Sequence, residues 1–173
     1  MATNQDVILV LNNLTLTNPS GAAFTITGAK TTTILLSGGT TNTLTDGAAG
    51  SQNGTIVTDG PVVINDPGTL VLSGLKKHAL YTTSTLSLVN GTINVTGAVS
   101  DGFHSEGFSM TGQTVNITSA GDGIDAALAP GDPRIGAEAG AQVGERERGD
   151  GGGVGGGEEK TENKKAKKAK QKN

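Results

Sequence analysis

The chain has 173 residues and a formal net charge of −3; it is 2% aromatic and contains no Cys and no Trp. That length suits one domain, while the composition excludes disulfides and thiolate chemistry and a core built on bulky rings, leaving Val, Ile, Leu, Ala and Thr to fill a narrow, stacked β interior. Residues 1–126 carry −5 and residues 127–173 carry +2, so the larger, acidic part speaks against nucleic acid as the main partner.

The first six residues have no basic n-region, and the apolar run at 7–11 is too short for the core of an export signal, so it reads as a strand. Alternating runs then recur at 14–17, 24–27, 33–36, 54–58, 62–65, 69–73, 85–89, 92–96, 109–111 and 115–118, separated by Gly, Asn, Asp and Ser. The Gly-, Thr- and Ala-rich stretch 37–51 reads as a strand around 42–44 followed by a lateral loop, of the kind that lines binding faces. No helical face is expected before Ala126, and no stretch approaches the ~20 apolar residues of a membrane span. After Ala126 comes Ala-Leu-Ala-Pro-Gly-Asp-Pro, then seven Gly in the nine residues 149–157, then a Lys-rich end. Such a segment buries too little apolar surface to offset its ordering entropy, so 127–173 is expected to be a disordered tail.

Three segments align within the repeats. Gly68-Thr-Leu-Val-Leu-Ser-Gly precedes His78-Ala-Leu-Tyr; Gly91-Thr-Ile-Asn-Val-Thr-Gly precedes Asp101-Gly-Phe-His; Gly112-Gln-Thr-Val-Asn-Ile-Thr-Ser precedes Asp122-Gly-Ile-Asp. A period of 21–23 residues is about one turn of a parallel β-helix with three short strands. The expected fold over 1–126 is therefore an all-β solenoid of about five or six coils, with Ile93 over Leu70 and Val95 over Leu72.

Stacking puts His78, Asp101 and Asp122 in one row, about 4.8 Å apart per coil, and aligns His104 with Asp125. Adjacent carboxylates repel unless a cation lies between them. A hard cation with oxygen ligands, Ca2+ above all, answers that repulsion, which makes Asp101, Asp122 and Asp125 the candidate metal ligands. The same Asp-Gly pairs are also ordinary turn chemistry, with Asp capping its own backbone and Gly at positive φ; Asp46-Gly47 and Asp59-Gly60 show the pair outside the row. Thr-x-Thr pairs at 15/17, 25/27, 31/33 and 43/45 are unevenly spaced, so no regular ice-binding array is expected, and Thr is simply a good strand residue. Asn94 and Asn116 fall at equivalent positions and are expected to form a side-chain ladder. No His-Glu-x-x-His or phosphate loop is present. The one catalytic route open to these residues is β-elimination on an acidic polysaccharide, with Lys76 or Lys77 as base.

The run from Gly68 to Ala126, with Lys77-His-Ala-Leu-Tyr, Val99-Ser-Asp-Gly-Phe-His and Ala120-Gly-Asp-Gly-Ile-Asp-Ala, resembles a bacterial family of carbohydrate-binding β-helix proteins of the clostridial cellulose- and polygalacturonate-binding type, related to polysaccharide lyases. Val7-Ile-Leu-Val-Leu-Asn-Asn-Leu-Thr-Leu-Thr-Asn fits its earlier coils. The resemblance implies a right-handed parallel β-helix, bound Ca2+, an extracellular or cell-surface location and plant cell-wall polysaccharide as partner. The leading expectation is non-catalytic binding of an acidic, polygalacturonate-like glycan assisted by Ca2+, with His78, Tyr81 and His104 as carbohydrate contacts. The alternatives are a pectate lyase-type enzyme and a structural or adhesin-like surface repeat. An open first coil also invites self-association.

Overall fold

The computed structural model describes residues 1–127; apart from Ala127, the expected tail lies outside the described residues. Fifteen strands wind through five coils of three. The first coil holds β1 (Val7–Leu11), β2 (Thr15–Thr17) and β3 (Phe24–Ile26), and the second holds β4 (Thr32–Leu36), β5 (Thr41–Thr45) and β6 (Gly54–Thr58). The third has β7 (Val62–Asn65), β8 (Thr69–Gly74) and β9 (His78–Thr82); the fourth has β10 (Thr85–Leu88), β11 (Gly91–Ala98) and β12 (Phe103–Ser105). The fifth has β13 (Gly107–Met110), β14 (Gln113–Ile117) and β15 (Ile124–Ala126). Corresponding strands pair in parallel to make three sheets, β1-β4-β7-β10-β13, β2-β5-β8-β11-β14 and β3-β6-β9-β12-β15. The parallel β-solenoid expected from the repeats is the observed fold, and no helix occurs among the described residues.

Alternation explains why these runs stack. Every second residue points inward, and the inward positions of consecutive coils form columns. Leu16, Leu44, Leu72, Val95 and Ile117 make one in the second sheet; Phe24, Ile56, Leu80, Phe103 and Ile124 make another in the third. Leu44, Leu72, Ile56, Leu80 and Phe103 are inaccessible to solvent. No coil buries its apolar residues alone; the neighbours above and below do so, which is why stability in such folds accrues coil by coil. Several inward strand positions are polar, among them Thr32, Asn42, Thr58, Thr82 and Ser105. Asn42 lies in the column of Leu70 and Ile93, and its amide ties three coils together: Oδ1 accepts from Leu14 N at 2.9 Å and Nδ2 donates to Thr69 O at 3.3 Å.

The coils are uneven in length. Bonded side-chain and backbone partners one coil apart are 28 residues apart for Leu14 and Asn42, but 22 for Asn94 and Asn116 and 21 for His104 and Asp125. The extra residues leave at corners, so strand register survives. On the outer face of the second sheet this stacks Thr41, Thr69, Thr92 and Thr114 in one column, although the Thr-x-Thr spacing in sequence is irregular. The adjoining column runs Thr15, Thr43, Val71, Asn94 and Asn116, so the face is not a uniform hydroxyl array. Its last two members form the expected ladder, Asn116 Nδ2 donating to Asn94 Oδ1 at 2.8 Å.

The Asp-Gly corners differ from the self-capping turn expected of them. Asp46, 1% exposed, accepts the Leu75 and Lys76 amides at 2.6 and 3.3 Å. Asp59 accepts Gly28 N at 2.7 Å, and Asp101 accepts Asp122 N at 2.9 Å. Each carboxylate thus caps the backbone of a neighbouring coil. Their glycines do not take positive φ, which belongs to Gly28, Gly39, Gly91 and Gly112. They are glycines because coils approach closely: a Cβ on Gly102 would lie 2.6 Å from the Gly123 carbonyl oxygen and 2.5 Å from Ile117 Cγ2. Gly102→Ala is accordingly expected to destabilise the protein by about 1–3 kcal/mol, the usual range for overpacking. A urea midpoint equal to wild type would show that these coils part freely.

Candidate functional site

The third sheet brings the chain's chemistry together. Its outward column runs Thr25, Val57, Tyr81, His104 and Asp125, so residues taken in sequence as following a turn stand on strands β9, β12 and β15. At the corner before these strands, Asp101 bonds to the next coil through Asp122 N, and Ser100 N donates to Lys77 O at 2.8 Å. The corners of the third, fourth and fifth coils therefore lie over one another, with Lys76 and Lys77 exposed on the first of them.

Three rings cluster there. Tyr81 and His104 are nearly parallel, 5° between planes, with centroids 5.0 Å apart. His78 lies 5.0 Å from His104 and 5.6 Å from Tyr81. Parallel rings separated by about one coil rise each cover one face of the other, so the pair does not offer two open aromatic faces. His104 Nδ1 donates to Asp125 Oδ2 at 2.7 Å, and their side chains are 36% and 43% exposed.

His78 is the buried member. It is 1% exposed; its Nδ1 is 3.2 Å from Asp101 Oδ2, but without the alignment of a hydrogen bond, and both ring nitrogens lack a partner. Burial holds its imidazole below the ordinary value of about 6.5; the Lys77 charge and His104 add to the lowering, and Asp101 opposes it. A buried imidazole bonded at neither nitrogen is costly, because its desolvation goes uncompensated.

Of the expected metal carboxylates, the structure brings Asp101 together with His78 and His104: one ligand atom from each lies within 4.8 Å of the others. This is the one such group among the described residues. Asp122 joins Asp101 through its backbone amide, and Asp125 joins His104; these carboxylates do not converge with Asp101 as a set of three. Two imidazole nitrogens and one carboxylate do not fit Ca2+, which takes six to eight oxygens. The sequence reading placed His78 and His104 as sugar contacts and did not group them with Asp101 as a candidate metal-donor set. The signal available was that these are the chain's two histidines, in a chain without Cys.

Elsewhere, a shallow depression of about 200 Å³ is lined by Thr85, Leu86, Ser87, Gly107, Phe108 and Ser109 and carries no titratable side chain. Phe103, counted among the few aromatics, is fully buried and contributes to the core rather than to any surface.

Comparison with known proteins accords with this fold. Among solved structures the chain is similar to the polysaccharide lyase-like protein from C. thermocellum, determined as a gadolinium derivative, with a TM-score of 0.55 and 16% identity over 70% of this chain and 73% of that one. At that identity the likeness is one of fold. No curated protein matches the sequence. A family model described as carbohydrate-binding domain-containing protein matches residues 1–131, which include all five coils. The chain belongs to the carbohydrate-binding domain-containing family.

Proposed function

We propose that the outer face of the third sheet binds an acidic, polygalacturonate-like polysaccharide, as a binding module rather than through chemistry on the glycan. The observation that carries this reading is the stacked Tyr81–His104 pair, each ring covering one face of the other, with His104 hydrogen-bonded to Asp125 and both of those side chains partly exposed. A sugar held there is held by hydrogen bonds from its hydroxyls and carboxylates, not by ring stacking of the kind a flat glucan surface favours. Residues 1–127 contain three lysines, and two of them, Lys76 and Lys77, stand exposed at the adjoining corner, where they attract a uronate chain to an otherwise acidic domain.

The test is retention of the full chain on immobilised polygalacturonate and on cellulose, with added Ca2+ and then with chelator. Polygalacturonate is expected to retain the protein more strongly. Lys76→Glu combined with Lys77→Glu, both on the surface, is expected to weaken retention about tenfold at low salt, the scale of two reversed exposed charges, and added salt should shrink the difference. Stronger retention on cellulose, or retention indifferent to the charge reversal, would reject this reading. The chelator arm decides whether Ca2+ takes part at the exposed carboxylates of Asp122 and Asp125.

A further inference from the structure

We propose that His78, His104 and Asp101 form a binding site for a divalent transition-metal ion of the Zn2+ class, with Asp125 orienting His104. This inference does not rest on the glycan reading, although the two share His104 and Asp125. It starts from a coincidence of composition and geometry: the chain has two histidines and no Cys, and the two imidazoles meet at one point, with centroids 5.0 Å apart. They do not occupy equivalent positions, since the residue paired with His104 on β9 is Tyr81. Coil stacking by itself therefore does not account for their meeting.

The second observation is the state of His78. It is 1% exposed, both ring nitrogens lack partners, and it faces Asp101 and His104. A bound cation takes the lone pair of the unprotonated ring nitrogen and so removes the part of the cost that belongs to that buried acceptor. The neighbours supply the rest of a metal shell. Asp101 Oδ2 lies 3.2 Å from His78 Nδ1, and Asp101 is already fixed through Oδ1 by the Asp122 amide and by Ser100 Oγ, which donates to Oδ2 at 3.2 Å. His104 Nδ1–H donates its hydrogen bond to Asp125, which leaves the lone pair on Nε2. A carboxylate behind a ligating histidine is the usual outer partner in metal sites, fixing the tautomer and raising basicity.

The donor set selects the ion. Two imidazoles and one carboxylate suit Zn2+ and its d-block neighbours, whereas Ca2+ and Mg2+ want oxygen alone. Donors about 2 Å from a tetrahedral ion lie about 3.3 Å apart, and these three lie within 4.8 Å. Closing that gap needs a modest swing of the half-exposed His104, while buried His78 and anchored Asp101 stay in place. Three protein ligands leave one position of a tetrahedral ion open.

The experiment uses the full chain, stripped with chelator and titrated at neutral pH with ZnCl2 and separately with CaCl2, by calorimetry and by NMR of the imidazole resonances. Expected are one Zn2+ per chain, shifts of both histidine ring signals with Zn2+, and no such shifts with Ca2+. Asp125→Asn, on the surface, should lower Zn2+ affinity by about 10–100-fold, the range for outer-shell partners. His104→Gln, with a native circular dichroism spectrum, should lower it further. His78→Gln is the second ligand variant and should lower the affinity likewise, and His104→Gln keeps the test valid if that buried change prevents folding. Absence of Zn2+ binding, Zn2+ binding that leaves the imidazole signals in place or is equal in His104→Gln, or Ca2+ shifting the same signals would each overturn the proposal.

Discussion

Phe103→Ala is expected to lower the unfolding free energy by about 3–5 kcal/mol, the range for truncating a buried aromatic. Phe103 is fully buried and heads the largest buried side chains. It lies between Leu80 of the coil before and Ile124 of the coil after, so its loss opens two inter-coil contacts at once. Aromatics are scarce here, and no other fully buried side chain is as large, which limits how far the core can close over the gap. The position also matters for the site. Phe103 follows the Asp101-Gly102 corner and precedes His104, and its anchoring in the core is what points those neighbours outward. Urea unfolding checks the magnitude, and Phe103→Leu should recover most of the loss because much of the volume is kept. A loss below about 1 kcal/mol would mean that the fourth coil is not held by this residue, contrary to the packing argument.

The second large effect is a fall in stability of the metal-free protein as pH drops below about 6.5, the value for His78 in the unfolded chain. The direction follows from proton linkage. His78 is held below its ordinary value in the folded state, by burial first, then by Lys77 and His104, with Asp101 opposing. Between the lowered folded value and about 6.5, the unfolded chain binds a proton that the native protein refuses. Stability therefore rises with pH across that window, and the loss is complete once pH is below the folded value. Urea midpoints measured in chelator from pH 8 to pH 5 should show this slope in wild type. In His78→Leu, which removes the titrating group and fills its place with apolar volume, the slope should flatten. Equal slopes in the two proteins, or wild type gaining stability towards acid pH, would contradict the burial of a neutral imidazole.

Much of the fold was legible because the later coils carry little besides their strands. The segments beginning at Gly68, Gly91 and Gly112 repeat at nearly constant length, and the columns Leu70–Ile93 and Leu72–Val95 follow directly from that repeat. So do the alignment of His104 with Asp125 and the Asn94–Asn116 ladder. The first coils were harder to read, because their corners hold extra residues that alter the period while leaving the register intact. The strands β9, β12 and β15 also escaped notice. They are short, and in β9 three consecutive residues are buried at the turn-in from the corner, so period-2 alternation is weak there.

The linear order of residues by itself determined that this chain folds as stacked coils. Alternation decides which side chains face inward, and repetition decides that each coil covers the next. It also determined the candidate ligand types, since two histidines and a set of corner carboxylates are all that a chain without Cys offers. Tertiary structure alone decided how those groups combine. His78 sits at the start of its strand and His104 inside the next coil's strand, in register with Tyr81, and the bend at the corner closes that offset. The same corners turn each Asp toward a neighbouring coil's amides and press the coils so close that the residue after Asp101 must lack a Cβ. Such distances depend on the path of the backbone through a turn, which hydrophobic periodicity does not encode.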